Sequence, residues 1–345
     1  MHHGDGNATV KAVVCAAPGR LELVERPLPD PAPGLVAVDI GAIGVCGTDF
    51  HIFEGTHPYL DYPRVMGHEL SGVVVGGAES AALGPGTAVV INPYLSCGVC
   101  VACRKGKRNC CTTLKVLGVH IDGGMCERIV VPEVNLYPAG DLSLRDAAMV
   151  EFLAVGAHAV HRADMAPGDR VLVVGAGPIG VGTALFARLA GGDVTLVDVS
   201  ARRLDYVAAH MGFGQAIVAG PGLVAEMQRL TDGEFYDVVF DATGNARAME
   251  AAFGYVAHGG TLVLVGVLKT DITFSDPELH KREMTVRATR NATRIDFDRV
   301  IAAIAAGQIP MDALNTHRDA LIALPKAMPA WLASSEPPLK AIVTL

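Results

Sequence analysis

Four cysteines carry the densest chemistry in the chain: Cys97, Cys100, Cys103 and Cys111, in the stretch CGVCVACRKGKRNCC, with gaps of two, two and seven residues. Thiolates at that spacing are able to close a tetrahedron around one Zn²⁺, leaving no open position and so giving the metal a structural role only. Cys110 adjoins Cys111 and is the alternative fourth ligand.

A second set combines CGTDFH (Cys46 to His51) with GHE (Gly67 to Glu69). Taken singly, Cys46 reads as a small buried hydrophobe, His68 as a satisfied core histidine and Glu69 as a loop carboxylate. Taken together they offer one thiolate, one imidazole and one carboxylate. That is the ligand mix of a catalytic zinc that keeps a position open.

A third pattern is GAGPIG at 175 to 180, which follows an apolar run and opens a helical one. Gly175 permits a tight turn, Gly177 lets the backbone approach a pyrophosphate, and Gly180 allows close helix–strand packing. Pro178 and Ile179 start the helix, whose free N–H groups and dipole favour phosphate. Asp198 ends the next apolar run, roughly 20 residues on, where an acid accepts from the ribose hydroxyls and repels a 2′-phosphate. NAD is therefore expected over NADP, although Arg202 and Arg203 stand close enough in sequence to accommodate that phosphate or to stack on adenine. Gly266, near the end of GGTLVLVGV, joins the candidate cofactor-binding set. The plainer alternative is a glycine turn in a nucleotide-free α/β domain.

The elements that must position these groups fall into distinct stretches. From residue 8 to about 148, short β-prone runs such as KAVVC, LVAVDI, SGVVVGG and ERIVVP are broken by Gly and Pro, the texture of an irregular β-domain. From about 150, strands (DRVLVVGAG, DVTLVDVS, YDVVFDATG, GGTLVLVGV) alternate with helices (PIGVGTALFARLAG, RRLDYVAAHMG). That alternation calls for parallel βαβ units with both sheet faces covered. The C-terminal stretch returns to a helix (FDRVIAAIAAGQI) and a strand (LKAIVTL), which is expected to rejoin the first domain.

A chain of 345 residues suggests two domains, and a composition 50% hydrophobic and 19% charged fits a packed enzyme rather than disorder. With 28 Lys and Arg against 36 Asp and Glu, the net charge is −8, which argues against a nucleic-acid partner. The short basic run RKGKR lies inside the cysteine loop. No apolar stretch reaches the length of a membrane span, and the opening MHHGDGN is a polar tail without a hydrophobic signal region. The eight cysteines are thus expected in a reducing, cytoplasmic compartment, where clustered cysteine means metal before disulfide.

In this order, CGTD, GHE, the cysteine lobe, GAGPIG and the acid after the second strand make a chain that resembles the zinc-dependent medium-chain alcohol dehydrogenases over nearly its whole length. The resemblance implies an α/β fold with a GroES-like β-domain (1–150 and 292–345) and a Rossmann doubly wound parallel-sheet domain (151–291). It implies one catalytic and one structural zinc, NAD-linked oxidation of an alcohol, and a homodimer or homotetramer. Cys46 and His68 match catalytic-zinc ligands, Thr48 matches the hydroxyl that contacts the substrate oxygen, and His51 matches a proton-relay position.

One departure is informative. Where alcohol-oxidising members place a second catalytic cysteine, this chain has Glu151, in MVEFLAVGAHAV. That is similar to the sorbitol, threonine and sugar-acid dehydrogenases. A carboxylate there gives harder, more labile coordination or holds a metal-bound water, so Glu69 and Glu151 are alternative carboxylate ligands. The stretches VLGVHIDGGMCERIVVP and RNAT resemble most the sugar-acid branch, which implies a polyol or sugar-acid substrate. Arg290 then becomes a candidate clamp for the substrate carboxylate, against the plainer reading of a structural arginine. Three other readings stand beside this one: a non-catalytic NAD-binding or regulatory protein of the same fold, a dehydrogenase for a simple alcohol or amino alcohol, and a zinc-free reductase of the same superfamily.

Overall fold

The computed structural model describes residues 8–57, 60–335 and 337–345; the polar opening MHHGDGN lies outside them. Two compact units divide the chain. One contains the residues up to Glu151 together with Ile301–Leu345, and the other is Phe152–Val300.

The first unit is β-rich. Its largest sheet runs in the order Leu136–Pro138, Ala88–Ile91, Glu69–Gly76, Leu35–Val45, Lys340–Thr344, Asn315–Ala320, and Arg128–Pro132 also pairs with Leu35–Val45. The alternating apolar residues of these strands explain the arrangement. Val36, Val38, Ile43, Leu70, Val89, Ile91, Ala341 and Val343 share one buried core, so the register that buries them is strongly specified. The C-terminal strand is part of this sheet: Ala341 to Thr344 pair antiparallel with Val45 to Ala42. That pairing sets Lys340 beside the start of the strand Glu69–Gly76, because Gly44 pairs with Glu69.

A short antiparallel ladder, Tyr94–Leu95 against Lys115–Val116, closes the cysteine-bearing loop at its base. Leu117 N–H adds a bond to Pro93 O at 3.1 Å.

The second unit holds a six-stranded sheet, all parallel. The order is Gln215–Val218, Asp193–Asp198, Arg170–Val174, Tyr236–Asp241, Val256–Leu264, Thr285–Ala288. In chain order this is 3-2-1-4-5-6, the doubly wound arrangement with a switch point beside the first strand. The apolar runs Val171 to Val173 and Val238 to Phe240 are buried, as strands covered on both faces require. The helix Pro178–Leu189 leaves the carboxyl end of the first strand, with Gly177 at its N-cap and a proline in its first turn.

Candidate functional site

Cys46, His68 and Glu69 present ligand atoms that all lie within 4.8 Å of one another. Cys46 caps the short helix Gly47–Phe53, and His68 and Glu69 stand where the chain enters a core strand. Gly44, opposite, makes room: a Cβ there would come within 2.0 Å of Glu69 Oε2. Glu69 is fully buried, and Lys340 Nζ donates to both of its oxygens at 2.6 and 2.8 Å and to Val45 O at 3.3 Å.

Asp49 completes the support. Its buried carboxylate accepts from Cys46 N–H at 2.9 Å and Gly67 N–H at 3.3 Å, and it lies 3.8 Å from His68 Nδ1. A carboxylate behind an imidazole orients that ring as a metal ligand. His68 Nδ1 is buried without a hydrogen-bond partner. Burial alone would push the imidazole's pKa down, yet the negative charges of Asp49 and Cys46 hold it well above its ordinary value.

Glu151 opens the helix Val150–Ala163 and points the same chemistry toward this group, although it stands outside the 4.8 Å cluster. Burial pushes its carboxyl up to about 7, and Tyr94 Oη donates to Oε1. Burial and the neighbouring Glu151 likewise raise the Tyr94 phenol well above its usual value. Three carboxyl groups and the Cys46 sulfur therefore crowd around His68, with the Lys340 amine buried among them. Such a donor set fits a divalent metal, because an added cation relieves both the mutual repulsion and the desolvation of the anions.

Thr48 and His51 lie on one helix, a turn apart. Thr48 is half-buried, whereas His51 is exposed and its Nδ1 faces Thr56 Oγ1 at 3.3 Å and Glu54 at 3.7 Å.

Cys97, Cys100, Cys103 and Cys111 converge, again with all sulfurs within 4.8 Å; Cys110 is exposed and stands outside this set. Cys97 N–H donates to Cys111 Sγ at 3.3 Å and Cys100 N–H to Cys97 Sγ at 3.4 Å. Backbone N–H groups of Cys103 and Thr112 bring the Cys100 thiol down to about 5. Amide donors aimed at the Cys100 sulfur favour its thiolate, the form that binds metal, whereas burial pushes the neighbouring Cys103 thiol up to about 11. The donor set fits a closed Zn²⁺ site.

In the second unit, Gly175 adopts φ +99°, in the region that favours glycine, and a Cβ on Gly180 would lie 1.7 Å from Gly175 O. Gly177, between them, faces open space with no heavy atom within 4 Å of a Cβ. A tight turn, a tight helix–strand approach and an empty middle position suit a pyrophosphate seated on the helix N-terminus. Pro178 and Ile179 are half-buried in the first turn. Asp198 Oδ2 accepts from Ala176 N–H at 2.7 Å and Oδ1 from Ser200 N–H at 2.8 Å, which fixes the carboxylate beside the glycine turn. Arg203 follows on the helix capped by Ser200. Gly266 packs so closely that a Cβ would meet Gly244 N at 2.5 Å. Arg290 is exposed just after the last parallel strand.

A third cluster, His158, His161 and Asp296, also brings ligand-type atoms within 4.8 Å. Asp296 Oδ2 accepts from His158 Nδ1 at 2.8 Å and from Thr293 N–H and Oγ1 at 2.8 and 2.6 Å, and Oδ1 accepts from His161 Nδ1 at 3.2 Å. Both oxygens are already engaged in capping the helix Arg294–Ala305 and pinning it to Val150–Ala163, so the cluster is accounted for as packing.

Asp49, Tyr94 and Lys340 join the site only in the folded chain. Asp49 had a signal, its place inside CGTD; Tyr94 and Lys340 sit in NPYLSC and LKAIVTL, which read only as loop and strand.

Comparison with known proteins follows the same division. Residues 32–141 match the alcohol dehydrogenase GroES-like domain and residues 178–306 the zinc-binding dehydrogenase domain. L-galactonate-5-dehydrogenase of Escherichia coli K12 is 39% identical over 338 residues, covering 98% of this chain and 99% of that protein. A crystal structure described as a short chain alcohol dehydrogenase (rspB) from E. coli CFT073, complexed with NADH, superposes with a TM-score of 0.91 at 29% identity, covering 98% and 99% of the two chains. A zinc-binding dehydrogenase from Sinorhizobium meliloti 1021 bound to NADP gives a TM-score of 0.89 at 29% identity, covering 98% and 100%. Among the described residues, no helix is long and apolar enough to cross a membrane.

Proposed function

The chain belongs to the zinc-binding alcohol dehydrogenases, and on that premise we propose that it oxidises a secondary hydroxyl of a sugar acid or polyol, with NAD as hydride acceptor. The observation that carries the reading is the buried Cys46, His68, Glu69 group with Glu151 beside it, in a chain 39% identical to an L-galactonate-5-dehydrogenase.

Bound zinc supplies Lewis acidity that lowers the pKa of a hydroxyl, and NAD supplies the hydride acceptor. Cys46, His68 and one of the two carboxylates, Glu69 or Glu151, hold the metal, and Asp49 keeps the His68 ring in place. Thr48 Oγ1 accepts a hydrogen bond from the substrate hydroxyl and acts as a relay, releasing its own proton as it takes the substrate's; the released proton leaves past the ribose edge of the cofactor site and reaches water through the exposed His51. Gly175, Gly177, Pro178, Ile179 and Gly180 seat the pyrophosphate, while Asp198 accepts from the ribose hydroxyls and disfavours a 2′-phosphate. Arg203 and Gly266 flank the adenosine and nicotinamide halves. Arg290 clamps the carboxylate of a sugar acid, as its planar fork suits. The Cys97, Cys100, Cys103, Cys111 zinc is structural. The protein is cytoplasmic and works as a homodimer or homotetramer. Steady-state assay of NADH production on a panel of aldonates and polyols, with zinc content measured in parallel, tests this reading.

A further inference from the structure

Tyr94 joins the two metal-binding regions of the first unit. It is buried, with only 7% of its surface exposed, and its hydroxyl donates to Glu151 Oε1. Its backbone is held on every side. Tyr94 N–H donates to Asn92 Oδ1 at 3.0 Å, Asn135 Nδ2 donates to Tyr94 O at 3.1 Å and to Asn92 O at 2.8 Å, and Asn92 Nδ2 donates to Tyr137 Oη at 2.7 Å. Asn135 and Tyr137 are themselves buried and Asn92 is half-buried, so most of this frame is shielded from solvent.

The same residue is the first of the ladder that closes the cysteine lobe. Tyr94 pairs with Val116 and Leu95 with Lys115, and Cys97 and Cys111 lie just inside that neck. A two-residue ladder is too short to stand alone. Its two ends bracket a loop that gathers four sulfurs within 4.8 Å.

We propose that Tyr94 is a positioning residue for Glu151, and that the loaded cysteine lobe acts on the Cys46–His68 site through it; the proposal rests on the zinc-dehydrogenase reading above. The hydroxyl fixes one oxygen of Glu151, and with it where that carboxylate's charge falls next to Cys46, His68 and Glu69. The lobe fixes the neck, and the neck fixes the hydroxyl. A residue usually seen as scaffolding is then one step removed from the metal ligands, a place where substitutions typically cost about 10–100-fold in metal affinity or activity.

Chelator titration of the two-zinc protein, with release of each equivalent followed by a zinc-sensitive dye, tests this without any substrate. Tyr94→Phe keeps the ring and removes one hydroxyl. It is expected to release zinc from the Cys46–His68 site about 10–100-fold more readily while the lobe zinc stays as firmly bound as in the parent protein. In steady state kcat is expected to fall with KM little changed, because the hydroxyl that is removed is the one spent on Glu151. Cys100→Ser is expected to weaken the Cys46–His68 site to a similar extent, and the double variant to weaken it no further. Unchanged zinc retention with kcat within twofold of the parent overturns the positioning role. Release of both zincs together from Tyr94→Phe overturns it too, since the residue is then part of the fold alone. Losses that add in the double variant, or an intact Cys46–His68 site in Cys100→Ser, overturn the lobe's part. Zinc retention is read whatever the substrate, so these outcomes stand apart from a failure to find one.

Discussion

Lys340 Nζ lies 2.6 and 2.8 Å from the two carboxylate oxygens of Glu69, across 271 residues of sequence. Both side chains are almost wholly out of solvent, at 1% and 0% exposure. The last strand of the chain thereby supplies the cation for a carboxylate of the candidate metal centre. Removing one member of such a pair leaves the other charge buried and uncompensated, which costs about 3–5 kcal/mol. Lys340→Met should lower the stability of the first unit by that order in urea denaturation, and Lys340→Met with Glu69→Gln should recover most of it. A Lys340→Met protein as stable as the parent would show that Glu69 finds another partner.

Gly177 and Gly180 separate nucleotide binding from folding. Gly180→Ala forces a Cβ to within 1.7 Å of Gly175 O, so it should melt at a clearly lower temperature. Gly177→Ala meets no protein atom and has ordinary helix-start backbone angles, so its melting should be unchanged. What it fills is the space assigned to pyrophosphate, so its NADH affinity should drop at least tenfold. Fluorescence titration of NADH decides; full affinity in Gly177→Ala would place the phosphates elsewhere.

In the proposed NAD site, Asp198→Ala takes away the carboxylate held beside the glycine turn, and with it the proposed ribose acceptor and the charge that would repel a 2′-phosphate. The expected result is weaker use of NAD and a smaller gap between the two cofactors, measured as the ratio of kcat/KM for NAD and NADP. A parent protein that prefers NADP would contradict the role given to Asp198.

Asp296 gives the acid limb of stability a specific source. Burial pushes its carboxyl up, but hydrogen bonds from His158 and Thr293 outweigh that and bring it down to about 2. A carboxylate depressed below its unfolded value of about 3.9 stabilises the fold above that pH. The contribution, about 2 kcal/mol, is lost as pH falls from about 4 to 2. Asp296→Asn should therefore be less stable than the parent at neutral pH, and the gap should close across that window. A gap that stays constant from neutral pH down to about 2 would rule out the pair as its cause.

Legibility followed the distance over which each feature is encoded. The cysteine lobe and the glycine turn are local, so spacing alone is enough to single out their residues; the geometry brings the sulfur of Cys111, the expected fourth cysteine, together with the other three and leaves Cys110 outside. The parallel sheet was also readable, because strands covered on both faces are continuous apolar runs such as Val171 to Val174. Lys340 was not, since a lysine at the start of LKAIVTL looks like a solvated strand end until Ala341–Val45 pairing carries it inward. Tyr94 was hidden for a similar reason. Nothing in NPYLSC points to Glu151, which lies 57 residues away, and the hydroxyl meets it only once the Asn92 and Asn135 contacts and the ladder with Val116 have set the Tyr94 backbone. Asp49 was visible as part of a motif, but its function, receiving two backbone N–H groups behind His68, appears only once the helix is folded against Gly67.

The central claim is oxidation of a sugar acid or polyol by a zinc centre built on Cys46 and His68. Its most direct test is NADH production by the two-zinc protein on L-galactonate, related aldonates and the matching uncharged polyols, run beside Arg290→Gln. NAD-dependent turnover of at least one aldonate is expected, with a raised KM for that aldonate but not for its polyol in Arg290→Gln. No turnover of any aldonate or polyol, with two zincs and NAD demonstrably bound, would contradict it.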